Sequence, residues 1–486
     1  MRLFYFLLLL SCCHPAVLGT KDSPPRHLLA SVKRHAKGHG RVAACAGKKI
    51  YILDLNAFAE VNGTPVCRFT KDVKSKSILV PSVLPDAPGG QEGVPLATAA
   101  HAGPWHLRRS IESSEHKTND IDAADIVFVY DFCFYAQWLA QVEGDGAVRP
   151  GKRLLAGEAL MAGLQRVTEL DRWKKDDGAS FVFFEPHPTS ADEKSGAEYR
   201  QFMCSTTKHS MHIVAERGQR NICQDYWQMD GKLLIAPLVA GSTDPSKPLI
   251  HFKEGAPKHP LVLRNKLLYF RGSCLPYKYQ HDNRTGIATG KVLRHATVMA
   301  LGSEGPDVDV HCSDSSLGAR DMDSDEVLNA MKSSLFCLIL PGDSQSSRWT
   351  SQVLMSGCIP VYVGPPYASM PFPIDFGYSY ASFIFNVSDS RSWLDVDMLW
   401  SNPGDKRPTH REHTWYWSHD ARYTEEFMIH VDKLQDVVKH LRGISEQRLL
   451  SLLWDVAVER QKFAYRDDLQ ITPSATSIIM SRMCST

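Results

Sequence analysis

The sequence has almost no net charge. Its 55 Lys and Arg residues stand against 54 Asp and Glu residues, which leaves a formal charge of +1 over 486 residues. A chain without a strong field of either sign does not attract nucleic acid or an acidic membrane surface. No nucleic acid and no polyanion are therefore expected among its partners.

Long apolar runs are also scarce. One follows Arg2 and covers Leu3 to Leu10, and no later segment reaches 18 uninterrupted apolar residues. The first run is shorter than the roughly 20 residues of a membrane helix. It is followed by Val17-Leu18-Gly19, whose small last residue suits a signal peptidase. We expect residues 1–19 to form a cleaved signal peptide. An uncleaved anchor and an apolar cytosolic N-terminus are the open alternatives.

Cysteine pairs at metal-binding or redox spacing are missing. Of the 12 cysteines, Cys12 and Cys13 belong to the expected signal, and none of the others lies in a C-x-x-C pair. Zinc ribbons and thioredoxin chemistry are therefore not expected. In an oxidising compartment some cysteines pair, but the sequence does not say which. Cys337 and Cys358 lie in apolar runs, where buried free thiols are the simpler interpretation.

Several common catalytic motifs are absent. The sequence contains no Walker loop, G-x-S-x-G, H-E-x-x-H or G-x-G-x-x-G pattern, which argues against the enzyme classes that use them. Patterns of the type D-x-D do occur, for example Asp307-Val308-Asp309. Chance matches are expected in a chain with this much aspartate, and we expect no metal requirement.

Length and sequons describe what is present. The chain is long enough for two domains of roughly 150–250 residues each. Sequons at Asn62, Asn283 and Asn386 support a secretory route. After the signal, the expected organisation is a basic stem at 20–47, lobes at 48–261 and 262–470, and a tail at 471–486.

Short apolar runs predict strands buried on both faces of a sheet. In chain order the runs are Lys48–Leu55, Asp125–Tyr130, Ser180–Phe184, Lys232–Ile235, Lys266–Phe270, Leu335–Leu340 and Ile359–Val363. Residues 344–356 separate the last two runs by the length of a crossover helix, which indicates a parallel sheet. The expected fold is α/β, with two Rossmann-like lobes and a cleft between them at the strand ends.

The richest candidate site follows the run that ends at Leu340. Residues 341–348 lie at a strand's carboxyl end and open a helix, where backbone N–H groups and the helix dipole favour an anion. Hydroxyls and a guanidinium there suit a diphosphate, and an amide one turn on can reach a ribose hydroxyl. These residues are Ser346, Ser347, Arg348 and Gln352. The alternative is that the serines only cap the helix and the arginine points to solvent.

Two shorter motifs also lie at strand ends. Arg271 supplies a cation after the run from Lys266, and Gly272 allows a ligand to approach the backbone closely. In the first half, Glu185 and His187 follow a strand and can supply a general base. A surface arginine and a structural histidine are the alternatives.

At these residues the sequence resembles the exostosin-like glycosyltransferases, glycosyltransferase family 47. The similarity extends over roughly residues 48–470. Its strongest part consists of Phe336-Cys337-Leu338, Gly342-Asp343, Ser346-Ser347-Arg348, Gly357-Cys358-Ile359-Pro360-Val361 and Met370-Pro371-Phe372.

The resemblance implies a GT-B fold and an inverting sugar transfer from a nucleotide sugar, a UDP-sugar above all, without a metal. It also implies a Golgi site, a cell-wall, proteoglycan or glycoprotein glycan as acceptor, and oligomers with related transferases. Ile359 to Pro366 is most similar to plant and algal members. Carried over to this sequence, Arg271, Ser346 and Ser347 face the donor phosphates.

Three positions depart from the family pattern. Leu340 stands where the family has proline, and Trp349 where it has arginine. Gln352 replaces the Glu or Asp that binds the donor ribose, and an amide lacks the charge of a carboxylate. The alternative to an enzyme is therefore a non-catalytic exostosin-like protein that binds carbohydrate or serves as a partner.

Overall fold

The computed structural model describes the chain in segments, and within them it forms two six-stranded sheets and a separate two-stranded pair. The described residues are 45–55, 102–132, 155–185, 201–215, 232–240, 261, 263–274, 277–278, 285–286, 289–313, 324–341, 347–364, 370–388, 425–467, 469 and 473–485. The strands are β1 Ile50–Asp54, β2 Lys117–Thr118, β3 Ile126–Tyr130, β4 Phe181–Glu185, β5 Met211–Val214, β6 Leu233–Ile235, β7 Lys266–Gly272, β8 Tyr277–Lys278, β9 Thr285–Gly286, β10 Val308–Cys312, β11 Ser334–Ile339, β12 Ile359–Gly364, β13 Phe383–Val387 and β14 Ile429–Val431.

Helices connect and flank these strands. The α-helices are α1 Gly103–Glu112, α2 Leu155–Val167, α3 Asp171–Asp176, α4 Thr289–Leu301, α5 Ser324–Lys332, α6 Arg348–Ser356, α7 Tyr378–Ala381, α8 Leu434–Arg442, α9 Glu446–Glu459 and α10 Ala475–Ser485. A π-helical turn covers Phe202–Thr206, and 3₁₀ turns cover Glu425–Phe427 and Arg460–Phe463.

Both large sheets are parallel and have the same strand order. The first is ordered β2-β1-β3-β4-β5-β6 and the second β10-β7-β11-β12-β13-β14. In such sheets ligands bind at the carboxyl ends of the strands, where the strand order reverses. Those points are the gap between β1 and β3 and the gap between β7 and β11. The prediction of two Rossmann-like α/β lobes is confirmed.

The central strands are buried on both faces, as the apolar runs predict. In β3, Phe128 and Tyr130 enter a large core that continues into the second lobe. Val127 and Val129 point to the other face and pack with residues such as Trp173 from α3. A strand with this double burial cannot alternate polar and apolar residues, which explains the continuous apolar sequence.

The C-terminal segment 471–486 differs from the expected tail. Most of it forms α10, where Ile479 and Met483 are fully buried. Cys484 in this helix forms a disulfide with Cys45, with Cα atoms 5.0 Å apart. Apolar residues lie on several sides of α10, so the sequence shows no clear amphipathic stripe there.

Two further disulfides lie in the second lobe. Cys337 in β11 is bonded to Cys358 just before β12, with Cα atoms 5.8 Å apart. The interpretation of these two residues as free thiols is wrong, because parallel pairing of β11 with β12 brings them together. Cys274 and Cys312 join the ends of β7 and β10, with Cα atoms 5.6 Å apart.

Contacts between the lobes gather around the end of β6 and the segment that follows it. The backbone carbonyls of three residues there accept hydrogen bonds from the second lobe: Ile235 from Phe372 N at 2.9 Å, Pro237 from the Tyr465 hydroxyl at 2.8 Å and Leu238 from the Ser351 hydroxyl at 2.6 Å. After α9 the chain returns to the first lobe. There the Ser110 hydroxyl donates to the Arg466 carbonyl at 2.8 Å, and Arg109 pairs with Asp467 at 2.9 Å.

Some predicted features lie outside the described residues. These are residues 1–44, with the expected signal peptide and most of the stem, and the sequons at Asn62 and Asn283. In the parts of the chain that the structure describes, no helix combines the length and the apolar character needed to cross a membrane.

Opening the disulfide between Cys45 and Cys484 should destabilise the protein. A disulfide that closes a long loop contributes about 2–5 kcal/mol to the free energy of unfolding. We therefore expect C484S to melt several degrees below the wild type in a thermal unfolding scan. C45S and the double variant C45S/C484S should melt at the same temperature as C484S, since all three lack the same bond. A wild-type melting temperature for C484S would contradict the prediction.

Candidate functional site

The two motifs of the second lobe lie at one edge of its sheet. Strands β7 and β11 pair in parallel with Leu268 beside Phe336. Continuing this register places Arg271 level with Ile339, close to where both strands end. Gly272 follows directly, and α6 begins a few residues after β11. The structure therefore brings the Arg271 motif and the α6 N-terminus to the point where the strand order reverses.

Helix α6 is the described part of the expected phosphate site. Ser347 is its N-cap, and its Oγ accepts a hydrogen bond from the backbone N–H of Trp349 at 3.2 Å. A hydroxyl that accepts one hydrogen bond can still donate its proton to a ligand. Ser346 and the side chain of Arg348 lie outside the described residues, and their contacts with phosphate stay predictions.

Two more basic side chains reach this edge and were not predicted. His311 in β10 is level with Arg271. Arg294 in α4 donates to the Ser273 carbonyl at 3.2 Å and to the Leu340 carbonyl at 3.4 Å. Three basic residues thus surround the end of β7. No motif connects the two new ones with Arg271, because they come from an edge strand and a separate helix.

The backbone at this edge is closely packed. A Cβ atom at Gly272 would lie 2.8 Å from the ring of Phe270, so glycine is needed here for packing as well as for any ligand. The disulfide between Cys274 and Cys312 joins the segment that follows β7 to the last residue of β10. This covalent bond ties the end of β7 to the end of β10 beside Arg271.

Buried polar side chains gather at the corresponding edge of the first sheet. Asp131 follows β3, Glu185 ends β4 and His212 lies in β5, with exposed fractions of 8%, 8% and 1%. Val129 pairs with Phe183, so two residues further along Asp131 is level with Glu185. The alternation of the strands places all three on the same face of the sheet. His187 lies outside the described residues.

Hydrogen bonds fix the imidazole of His212. Its Nδ1 lies 3.2 Å from Glu185 Oε1, and its Nε2 lies 3.1 Å from the Thr207 carbonyl and 3.2 Å from the Thr207 hydroxyl. The ring stacks on Phe183 with centroids 5.7 Å apart. Thr207 directly follows the π-helical turn, a feature that often marks functional sites.

Asp131 differs from an ordinary surface carboxylate. Burial and the neighbouring charge of Glu185 raise the pKa of Asp131 to about 7. A carboxyl group with a pKa near neutrality can take up and release a proton under working conditions. Sequence reasoning found Glu185 and missed Asp131, although Asp131 follows its predicted strand in the same way. His212 gave no signal, because it lies inside a strand.

The Exostosin GT47 domain model matches residues 44–392, more than half of the chain. The chain belongs to the exostosin GT47 family. Its two-lobed parallel architecture is of the GT-B type expected for this family, and the family consists of glycosyltransferases that use nucleotide sugars and glycan acceptors. A comparison with proteins of curated function gave no match.

At the Trp349 departure from the GT47 pattern, the structure gives the side chain a packing role. Its ring stacks on Tyr269 with centroids 6.2 Å apart, and its Nε1–H donates to the Leu338 carbonyl at 3.0 Å. The tryptophan therefore supports β7 and β11 from within the lobe. At the Gln352 departure, the side chain is half-buried on α6. It lies next to Ser351, whose hydroxyl donates a hydrogen bond to the segment after β6.

The aspartates of the D-x-D pattern contact two separate basic side chains of this GT47 chain. Asp307 accepts a hydrogen bond from Arg442 at 2.8 Å, which lowers its pKa, and it lies before β10 at the amino edge of the sheet. Asp309 lies 3.1 Å from His311. Within the described segments, no three His, Cys, Asp or Glu side chains are grouped as metal ligands.

Replacing Asp131 by asparagine should change how stability depends on pH. The native pKa of about 7 lies above the ordinary value of 3.8, so between these values only the folded state holds the proton. In the wild type, the contribution of Asp131 to the free energy of unfolding is fully present below about pH 4. It falls by up to about 1.4 kcal/mol per pH unit as the pH rises and is lost above pH 7. The free energy of unfolding of D131N should lack this decrease, because an amide does not titrate in this range.

Urea unfolding of both proteins at pH 4.5, 6.0 and 7.5 measures the effect. D131N should gain stability relative to the wild type as the pH rises. D171N is the control, because the Asp171 side chain is fully exposed. If the difference between D131N and the wild type stays constant over this range, Asp131 does not have the raised pKa.

Proposed function

We propose that this chain is an active, inverting glycosyltransferase. Its donor is a nucleotide sugar of the UDP-sugar class, and its acceptor is a cell-wall, proteoglycan or glycoprotein glycan. The observation that carries the proposal is the contrast between the two strand-order reversal points. One has basic side chains around Arg271. The other has the buried carboxyl group of Asp131 directly after β3, with Glu185 level with it at the end of the next strand, β4.

The second lobe suits the donor diphosphate. Arg271 and Arg294 bring guanidinium groups to the edge where α6 starts, and the helix dipole adds positive charge there. Anionic oxygens bind well to such groups. The donor-binding residues in this proposal are Arg271, Gly272, Ser346, Ser347, Arg348 and Gln352. These cations can stabilise the leaving diphosphate, so the proposal includes no metal.

The first lobe suits the acceptor. In an inverting transfer, a base removes the proton of the acceptor hydroxyl while the oxygen attacks the anomeric carbon from the face opposite the leaving group. Glu185 and His187 are the predicted base residues, and Asp131 now joins them. A buried carboxyl of raised pKa supports this role.

Localisation in the Golgi lumen is part of the proposal. Disulfides form in oxidising compartments, and Cys337–Cys358 and Cys274–Cys312 in the second lobe are such bonds. A signal peptide at residues 1–19, cleaved or kept as an anchor, would bring the chain there. The proposal also includes oligomers with related transferases and similarity to plant and algal members. The transferred sugar is either a hexose or a pentose.

A non-catalytic exostosin-like carbohydrate-binding or partner protein is the second candidate. Trp349 and Gln352 favour it, since both replace residues of the family pattern that bind the donor. A screen of nucleotide sugars with detection of released nucleotide separates the candidates, because a transferase also passes some sugar to water. A folded wild-type protein that releases no nucleotide from any donor would support the non-catalytic function.

Replacing Arg271 by alanine should weaken nucleotide binding. A hydrogen bond to a charged group contributes about 1.5–3 kcal/mol, so UDP affinity should fall roughly ten- to hundredfold. Calorimetric titration with UDP measures it. R442A is the matched control, because Arg442 lies at the amino edge of the same lobe with Asp307. Equal UDP affinity of R271A and R442A would remove Arg271 from the site.

Gln352 should contact the donor ribose. Q352L leaves ribose hydroxyls unpaired at a cost of about 1–3 kcal/mol, or roughly a 5- to 150-fold loss of activity. Q352E should keep or raise activity, because a carboxylate accepts stronger hydrogen bonds from hydroxyls. Rates of UDP release from the best donor of the screen measure both. Wild-type rates and UDP affinity in Q352L would show that α6 only connects the strands.

A further inference from the structure

The hydrogen bonds around His212 indicate different roles for Asp131 and Glu185 in the first lobe. We infer that Asp131 is the proton acceptor of the transfer and that His212 is its positioning residue. Thr207 orients the imidazole of His212, which shares one proton with Glu185. This inference rests on the proposed function and assigns the base within it.

Thr207 determines which nitrogen of His212 carries hydrogen. The Thr207 hydroxyl donates its own proton to the Met203 carbonyl at 2.6 Å, so toward His212 it acts as an acceptor. The Thr207 carbonyl is also an acceptor. Both lie within 3.2 Å of His212 Nε2. His212 Nε2 therefore bears hydrogen and donates.

The opposite nitrogen shares a second proton with Glu185. Nδ1 and Glu185 Oε1 lie 3.2 Å apart in a buried site. Two lone pairs facing each other there would be strongly unfavourable, so one proton lies between them. Glu185 is thus occupied by its partner.

Asp131 is the carboxyl group left for the acceptor. It is level with Glu185 on the neighbouring strand and lies at the carboxyl edge of the sheet. Other titratable groups at this edge are Tyr130, Arg108 and Asp54. The Arg108 guanidinium lies 4.5 Å over the Tyr130 ring and 2.6 Å from Asp54. Its charge is therefore matched by the carboxylates that it contacts, and the raised pKa of Asp131 results from burial and from Glu185.

The sugar transfer is a single displacement at the anomeric carbon. The acceptor hydroxyl gives its proton to the Asp131 carboxylate, and its oxygen forms a bond to the anomeric carbon of the donor. The bond from that carbon to the diphosphate oxygen breaks, and its electron pair leaves with the nucleoside diphosphate toward the Arg271 edge. Asp131 then returns its proton to water.

The test uses the full-length protein and the UDP-sugar that gives the fastest UDP release. D131N, which keeps the shape of the side chain, should lose at least about 100-fold in kcat, the usual contribution of a general base. Its affinity for UDP should stay unchanged. Wild-type kcat in folded D131N would overturn the inference and leave the proposed function standing. No turnover by the wild type with any donor would overturn the proposed function.

The positioning role is read from the pH profile. Without the imidazole, the charge of Glu185 acts fully on Asp131, so H212Q should shift the acidic limb of kcat/KM upward by about one pH unit. H209Q is the matched control, because His209 lies near His212 in the chain but is half exposed and 3.4 Å from Asp177. An unchanged limb in H212Q would make His212 merely structural and overturn its role.

Infrared titration gives a readout that needs no turnover. The wild type should show a carboxyl band that titrates near pH 7, and D131N should lack it. If H212Q does not fold, E185Q serves instead. It removes the negative charge beside Asp131, so the band should move to lower pH. A band that is absent from the wild type, or that persists in D131N, would overturn the assignment of Asp131.

Discussion

Parallel strand pairing is the constraint on which the rest of this structure depends. Because all strands of a sheet run in the same direction, their carboxyl ends meet at one edge, and residues far apart in sequence become neighbours there. This places Asp131 beside Glu185 in the first lobe and Arg271 beside His311 in the second. The two lobes repeat one strand order, so a single topology yields both an acidic and a basic site.

Two buried carboxyl groups of this GT47 chain, Glu459 and Asp131, have opposite electrostatic surroundings. Glu459 is completely buried, and Lys462 lies 2.8 Å from it while the Gly377 N–H donates to it at 2.7 Å. This carboxylate is neutralised by a cation and serves packing between α7 and α9. For Asp131, burial and the negative charge of its neighbour Glu185 instead raise the pKa. A chain that only needed a stable core would not benefit from that pairing.

Connections across the lobes hold the two edges within one molecule. The Ser351 hydroxyl in α6 donates a hydrogen bond to the Leu238 carbonyl in the segment after β6. Helix α6 is the helix that begins at the basic edge. The return of the chain brings α10 to the first lobe, where Cys484 is bonded to Cys45. The two edges are therefore joined by contacts that neither sheet makes alone, and Trp349 packs against Tyr269 in the Arg271 strand.

The sequence by itself determined the α/β class, the central buried strands and the family, because continuous apolar runs and the block from Phe336 to Val361 are local patterns. It also placed Arg271 and Glu185 at strand ends. Only the tertiary structure brought His212 and Asp131 to Glu185, paired Cys337 with Cys358, and turned the expected tail into α10. Those features depend on which strands become neighbours and on contacts between distant segments, and a linear sequence carries no local signal for either.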